Sequence, residues 1–182
     1  GKVLSKEQLN LALKELGKVD INIRGRIQKP GIIDIQENKL LVKSIKSTYM
    51  IGEMIATREG YGDGLVKLGE VNPKVIVFDA EMAPSTYADN FKKIFPERYF
   101  EMYMTEQNMI SVALGLSKYG YITFSSTFGS FLTRAFDQIR MAQYSDPNIN
   151  ICGAHGGVAT GADGPSQMAL EDLSMMRSIV KS

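Results

Sequence analysis

Cysteine occurs once in the 182 residues, at Cys152, so the chain cannot close a disulfide on itself. No window reaches the roughly 20 consecutive apolar residues that a membrane-spanning helix needs, and none has the build of a secretory signal. Together these absences predict a reducing, cytoplasmic setting and no membrane partner. An excess of one charge is also missing: 21 Lys and Arg stand against 20 Asp and Glu, a formal net charge of +1. A protein that gripped nucleic acid through many phosphate contacts would be far more basic, so no nucleic-acid partner is expected. Histidine occurs once, and beside a single cysteine without ligand spacing it gives no basis for a protein-held metal site. Repeats of solenoid period and low-complexity tracts are absent too, which leaves function to individual sites.

What is present suits one ordinary domain: 44% hydrophobic residues and 23% charged, enough to bury a single core in a chain of this length. Charge is unevenly spread, with ten Lys/Arg against five Asp/Glu in residues 1–50 and eleven against fifteen in residues 51–182. A basic leader and a mildly acidic body follow, both read as solvated surface. The chain opens on Gly1 in place of Met, which raises the expectation that it is a piece of a longer polypeptide.

Ser5-Lys6-Glu7-Gln8 has capping-box form, Leu9, Ala12, Leu13 and Leu16 repeat on one helical face, and Gly17 stands where a helix should stop. From Lys18 to Ile51 no period persists; Pro30-Gly31 punctuates the stretch and residues 39–42 could form a strand. Residues 1–52 therefore read as a leader helix and an extended interdomain linker. Beyond Met54, strand-like runs at 75–78, 99–104, 121–124 and 149–153 alternate with helical patterns at 58–69, 106–118, 131–144 and 169–177. That alternation predicts an α/β fold over residues 53–182, a three-layer α/β/α arrangement with a mainly parallel sheet covered on both faces. Ligands of such folds bind where strands end and loops begin.

Several residues could carry chemistry. Glu106 has Met102, Tyr103, Met104, Met109 and Ile110 around it in sequence, and Thr105 is placed to cap the helix that follows. A carboxylate in apolar company has its charged form disfavoured, which suits proton exchange; the plainer alternative is an acid stabilising a helix N-terminus. Phe128 and Phe131, three apart, put two rings on one side of a helix start, where they could hold a flat heterocycle or pack into a core. Arg134, Asp137 and Arg140 read as a polar helix face. His155 lies just past the last strand, and Gly156, Gly157, Gly161 and Gly164 follow with Asp163 among them. A histidine in so glycine-rich a loop could be an acid, a base or a phosphate contact, or a structural residue satisfied by hydrogen bonds.

Ala56-Thr57-Arg58, Thr105-Glu106-Gln107-Asn108-Met109, Ser126-Thr127-Phe128 and Gly161-Ala162-Asp163-Gly164-Pro165 follow one another in this order. Taken together they resemble transketolases over about residues 53–180, and the leader resembles the family's connector between its diphosphate-binding and pyrimidine-binding domains. The resemblance implies the thiamine diphosphate-binding fold, with residues 53–182 as its pyrimidine-binding domain. It implies transfer of a two-carbon ketol unit from a ketose phosphate to an aldose phosphate. Thiamine diphosphate would be the cofactor, with a divalent metal, Mg or Ca, supplied by a diphosphate-binding domain outside these residues.

The same resemblance implies roles residue by residue. Glu106 would hydrogen-bond N1′ of the cofactor's aminopyrimidine, with His155 the second catalytic candidate. Phe128 and Phe131 would pack against that ring and Glu81 would be a further cofactor contact. Arg58, Ser85 and His155 would hold the phosphate of a sugar phosphate, and Asp163 would hydrogen-bond a hydroxyl beside the donor's carbonyl. Gln167 stands where some transketolases have a substrate-contacting histidine, and Arg134 where some have an aromatic residue. Ala162 is shared with deoxyxylulose-phosphate synthases, which keeps that sister family as the alternative. The β part of a 2-oxo-acid dehydrogenase is disfavoured by Arg58 and His155. A non-catalytic assembly domain would be signalled by loss of Glu106 or the phenylalanine pair, and both are kept. Gly62-Asp63-Gly64 has the letters of the family's metal motif but falls in a helical stretch, and is read as chance. Family members share each active site between two chains, so a homodimer is expected, and the isolated piece is expected to bind cofactor weakly and turn over nothing.

Overall fold

The computed structural model describes residues 4–18, 20, 22–26 and 45–179. The chain divides into two compact units, Gly1–Asp34 and Ile35–Ser182. The strand expected at 39–42, and Pro30-Gly31, lie outside the described residues.

In the first unit, α1 (Lys6–Leu16) is built as the capping box predicts. Ser5 Oγ accepts the Gln8 N–H at 3.2 Å, and Gln8 Oε1 accepts the Ser5 N–H at 3.0 Å, so two donors that the helix start would orphan are satisfied. Gly17 ends the helix at a φ of +62°, a conformation that costs glycine little.

Among its described residues the second unit carries a four-stranded, all-parallel sheet: β1 (Val75–Asp79), β2 (Tyr99–Glu101), β3 (Ile122–Phe128) and β4 (Ile149–Ala154), in the order β2-β1-β3-β4. Alternation along β1 splits its side chains between two cores. Val75 and Val77 pack with Leu65 of α2 (Thr57–Val71) and with Ala88 and Phe91 of α4 (Ala88–Ile94). Ile76 and Phe78 pack on the other face with Met109, Ile110 and Ala113 of α5 (Glu106–Lys118) and Ile139 of α6 (Phe136–Ala142). One sheet between two helical layers is the predicted architecture. Complete burial of Phe91 or Leu65 contributes about 1.5–3 kcal/mol each.

The structure departs from expectation in five places. Strand β3 runs on through Ser125, Ser126, Thr127 and Phe128; these hydroxyl residues look like loop in sequence but are buried, Ser125 and Ser126 between β1 and β4 and Thr127 paired with β4. Strand β2 is shorter than predicted and stops at Glu101. Two short helices, α3 (Ala83–Thr86) and α4, fill the stretch between the strands expected at 75–78 and 99–104, to which no element was assigned. The helix expected at 131–144 is a 3₁₀ turn (Phe131–Ala135), α6, and a second 3₁₀ turn (Gln143–Ser145). The last helix, α7 (Asp172–Arg177), starts late because Ala169 instead bridges Gly156 and Gly157.

Helix α2 contains Gly62-Asp63-Gly64. Gly62 is there for packing: a Cβ would come within 2.6 Å of Tyr87 Cβ. Asp63 accepts a short hydrogen bond from the Tyr49 hydroxyl, and Lys67 donates to Lys46 O at 3.3 Å and to Thr48 Oγ1 at 3.1 Å, so residues 46–49 are tied to α2.

Candidate active site

Parallel strands bring their C-terminal ends to one edge, and the predicted residues gather there. Glu81 and Ser85 follow β1, Glu106 opens the helix after β2, Phe128 ends β3 and His155 follows β4. Arg58, in the first turn of α2, reaches the same edge.

Glu106 is 4% exposed at the first position of α5. Its Oε2 is buried without a hydrogen-bond partner, and the nearest ionic partner is Arg134 Nη1 at 3.7 Å. Arg134 is mostly exposed and also donates to Met104 O at 3.4 Å, so it leaves the polar helix face assigned to it in sequence; Asp137 and Arg140 do pair there, at 2.6 Å. Thr105 does not cap the helix. Its hydroxyl turns back to donate to Met102 O, which leaves the start of α5 open beside the glutamate.

The two phenylalanines do not share a helix, because Phe128 ends a strand and Phe131 opens the 3₁₀ turn. Their rings still stack, with centroids 5.3 Å apart and planes 17° from parallel. His155 stacks on Phe128 at 4.1 Å and 27°. Phe128 is buried and Phe131 half-buried, so Phe131 is the ring with a face to offer.

His155 has a φ of +57°, rare for a residue with a Cβ and found where surrounding structure imposes it. Its Nε2 lies 3.3 Å from Arg58 Nη1. A guanidinium only donates, so Nε2 accepts and the ring proton is assigned to Nδ1, which is buried without a partner. Arg58 also lies 5.6 Å over the ring of Tyr87, whose hydroxyl donates to Glu59 Oε1 at 3.2 Å. Arg58, His155, Phe128 and Phe131 thus form one row. Among the described residues, no hydrogen bond or ion pair joins Ser85, Asp163 or Gln167 to it. Asp163 is exposed on the turn Gly161–Asp163, and Gln167 accepts from the Ser166 hydroxyl.

Sequence reasoning passed over a buried polar group beneath this row. Asp79, 0% exposed, accepts from the Met82 N–H at 2.6 Å, the Thr86 hydroxyl at 2.7 Å and the Ser126 hydroxyl at 2.9 Å. Burial raises its carboxyl to about 6, against the opposing pull of those three donors. Its signal in sequence was an acid closing the otherwise apolar run Val75-Ile76-Val77-Phe78. Burial likewise pushes the Cys152 thiol up to about 11. No cluster among the described residues could hold a metal ion, and no described helix is long and apolar enough to cross a membrane.

A buried carboxylate oxygen left without a hydrogen bond costs about 1–3 kcal/mol, and this one lies beside a turn presenting a half-buried aromatic ring. An aromatic heterocycle with a protonated ring nitrogen would satisfy both, so the residues present fit an aminopyrimidine.

The sequence profile described as the transketolase pyrimidine-binding domain matches residues 53–181. The chain is 49% identical over 185 residues to mouse transketolase-like protein 2, covering 98% of this chain and 29% of that protein. It is 52% identical over 136 residues to human transketolase, covering 74% of this chain and 22% of that one. Among solved structures it is similar to a split-gene transketolase, an inactive beta4 tetramer, at 47% identity and a TM-score of 0.59, with 69% of this chain and 40% of that chain covered. A Pichia stipitis transketolase in complex with sedoheptulose-7-phosphate has a TM-score of 0.65 over 72% of this chain and 21% of that one; at 23% identity it speaks to fold alone. The chain therefore spans less than a third of the length of these curated relatives.

Proposed function

The chain belongs to the transketolase pyrimidine-binding domain family, and from that premise we propose that it supplies the pyrimidine-holding half of a ketol-transferring active site. The observation that carries this reading is the buried Oε2 of Glu106, which has no hydrogen-bond partner. Thiamine diphosphate, bound between this chain and a diphosphate-binding region, would supply the carbon nucleophile for moving a two-carbon unit from a ketose phosphate to an aldose phosphate.

This chain's side chains make their own contributions. Glu106 holds a proton at the ring nitrogen N1′, in a pocket dry enough that water does not compete. Phe131 packs flat against the pyrimidine, while Phe128 and His155 behind it keep Phe131 in place by stacking. Glu81 is a further cofactor contact. Arg58 and His155, already 3.3 Å apart, receive the sugar phosphate. The guanidinium can bond it through two N–H groups, and the imidazole N–H adds a third donor. Ser85, Asp163 and Gln167 complete the substrate contacts from the loops after β1 and β4, Asp163 by accepting from a substrate hydroxyl. The divalent metal, Mg or Ca, belongs with the diphosphate-binding region.

The similar split-gene transketolase is an inactive beta4 tetramer, which supports the proposal that this chain turns over nothing alone. We place it in the cytoplasm, working as a homodimer or beside a separate diphosphate-binding subunit.

The test is turnover of a ketose phosphate with that region supplied. Glu106→Gln should lower kcat about a hundredfold or more, in the range of general acid–base contributions. Turnover unchanged in that variant would remove the proton role and the reading with it.

A further inference from the structure

Glu81 follows β1 with a φ of +63°, and a glutamate has no short polar side chain to make the left-handed region comfortable. The structure shows what holds it there. Asp79 on β1 and Glu101 on β2 are register partners at the C-terminal ends of adjacent strands. Glu101 Oε1 accepts the Glu81 N–H at 2.9 Å, and Asp79 Oδ1 accepts the next one, Met82 N–H, at 2.6 Å. Two consecutive amides are thus bound by two neighbouring carboxylates, groups that when ionised only accept.

Each carboxylate is anchored a second time. Asp79 Oδ2 takes the hydroxyls of Thr86 and Ser126, which ties the far end of the 82–86 turn to β3. Glu101 Oε1 also accepts the Tyr103 N–H at 3.1 Å, and its Oε2 accepts the Tyr99 hydroxyl at 3.1 Å. The loop carrying Glu81 and Ser85 is therefore bound to the loop leading into Glu106.

We propose that Asp79 and Glu101 form a paired-carboxylate clamp that imposes the left-handed conformation on Glu81, and so acts as a positioning device for the residues that follow β1. Its structural part stands on the geometry alone; its functional part rests on the reading of Glu81 and Ser85 as site residues. Neither carboxylate touches substrate or cofactor in this scheme.

A double-mutant cycle on the full chain, read by urea unfolding, tests the clamp without any cofactor. Glu101→Ala removes the acceptor, Glu81→Gly removes the strain, and Glu101→Gln keeps a carbonyl oxygen in place. If the clamp holds strain, that strain is released when the clamp is lost and offsets part of the cost, so Glu101→Ala lowers the folding equilibrium constant about fivefold less in the wild type than in the Glu81→Gly background, and Glu101→Gln recovers most of the loss in that background. Equal losses in both backgrounds would overturn the proposal.

The second arm supplies the diphosphate-binding region and titrates thiamine diphosphate. Glu101→Ala should raise half-saturation about tenfold while kcat at saturation stays within about twofold, because Glu106 remains in place. Unchanged half-saturation, in a protein that Glu106→Gln inactivates, would refute the positioning role. A wild type with no thiamine dependence would instead sink the reading of the site, and the unfolding cycle would still decide the clamp.

Discussion

The pH dependence of stability should carry the signature of Asp79. Its carboxyl is raised from 3.8 to about 6, chiefly because folding strips it of water. The sign follows from linkage: the unfolded chain releases this proton at lower pH than the folded one, so ionisation favours unfolding. The penalty is fully developed above the folded pKa and fades as pH falls toward the unfolded value. Two units correspond to about 3 kcal/mol at pH 7.5, shrinking to about 1.5 kcal/mol at pH 5. Other carboxylates shift with pH as well, so the quantity to measure is a difference. Urea unfolding of wild type and Asp79→Asn at pH 7.5, 6 and 5 should show the wild type gaining about 1.5 kcal/mol on the variant across that range. Asparagine keeps the shape and an acceptor oxygen, and the Thr86 and Ser126 hydroxyls can rotate to meet its amide. A difference independent of pH would show that the carboxyl titrates normally and that burial does not govern it.

Two further outcomes follow from packing and burial. Gly62→Ala forces a Cβ to 2.6 Å from Tyr87 and should cost about 1–3 kcal/mol by overpacking, whereas Gly64→Ala, which meets nothing within 4 Å, should gain about 0.5–1 kcal/mol of helix propensity; equal effects in thermal or urea unfolding would contradict the α2 packing. Cys152, its thiol pushed from 9.0 to about 11, should react at pH 8 with a thiol reagent about a hundredfold more slowly in the folded chain than in urea, and similar rates in the two states would contradict the burial.

Much of the site was legible because its parts are local. Glu106 announced itself by apolar neighbours on both sides, and it is buried at a helix start. The phenylalanine spacing gave the right pairing for the wrong reason, since Phe128 ends a strand and only Phe131 belongs to a helical turn. Arg134 was misplaced because a helical projection assumes an α-helix from residue 131; the 3₁₀ winding there swings its side chain toward Glu106. The polar end of β3 was missed because Ser125, Ser126 and Thr127 mark loops when exposed, and only burial and pairing with neighbouring strands makes them strand.

The sequence by itself determined the capping box of α1, the alternation of strands and helices and the residue types gathered at the candidate site. All of these are written within a few positions, by repeats of two and of 3.6 residues. The tertiary structure alone decided that Arg58 meets His155 across 97 positions, that Asp79 lies beside both Glu101 and Ser126, and that Glu81 is held left-handed between them. Those meetings depend on strand order and register, set when the whole sheet closes and buries both its faces, and no short window of sequence contains that information.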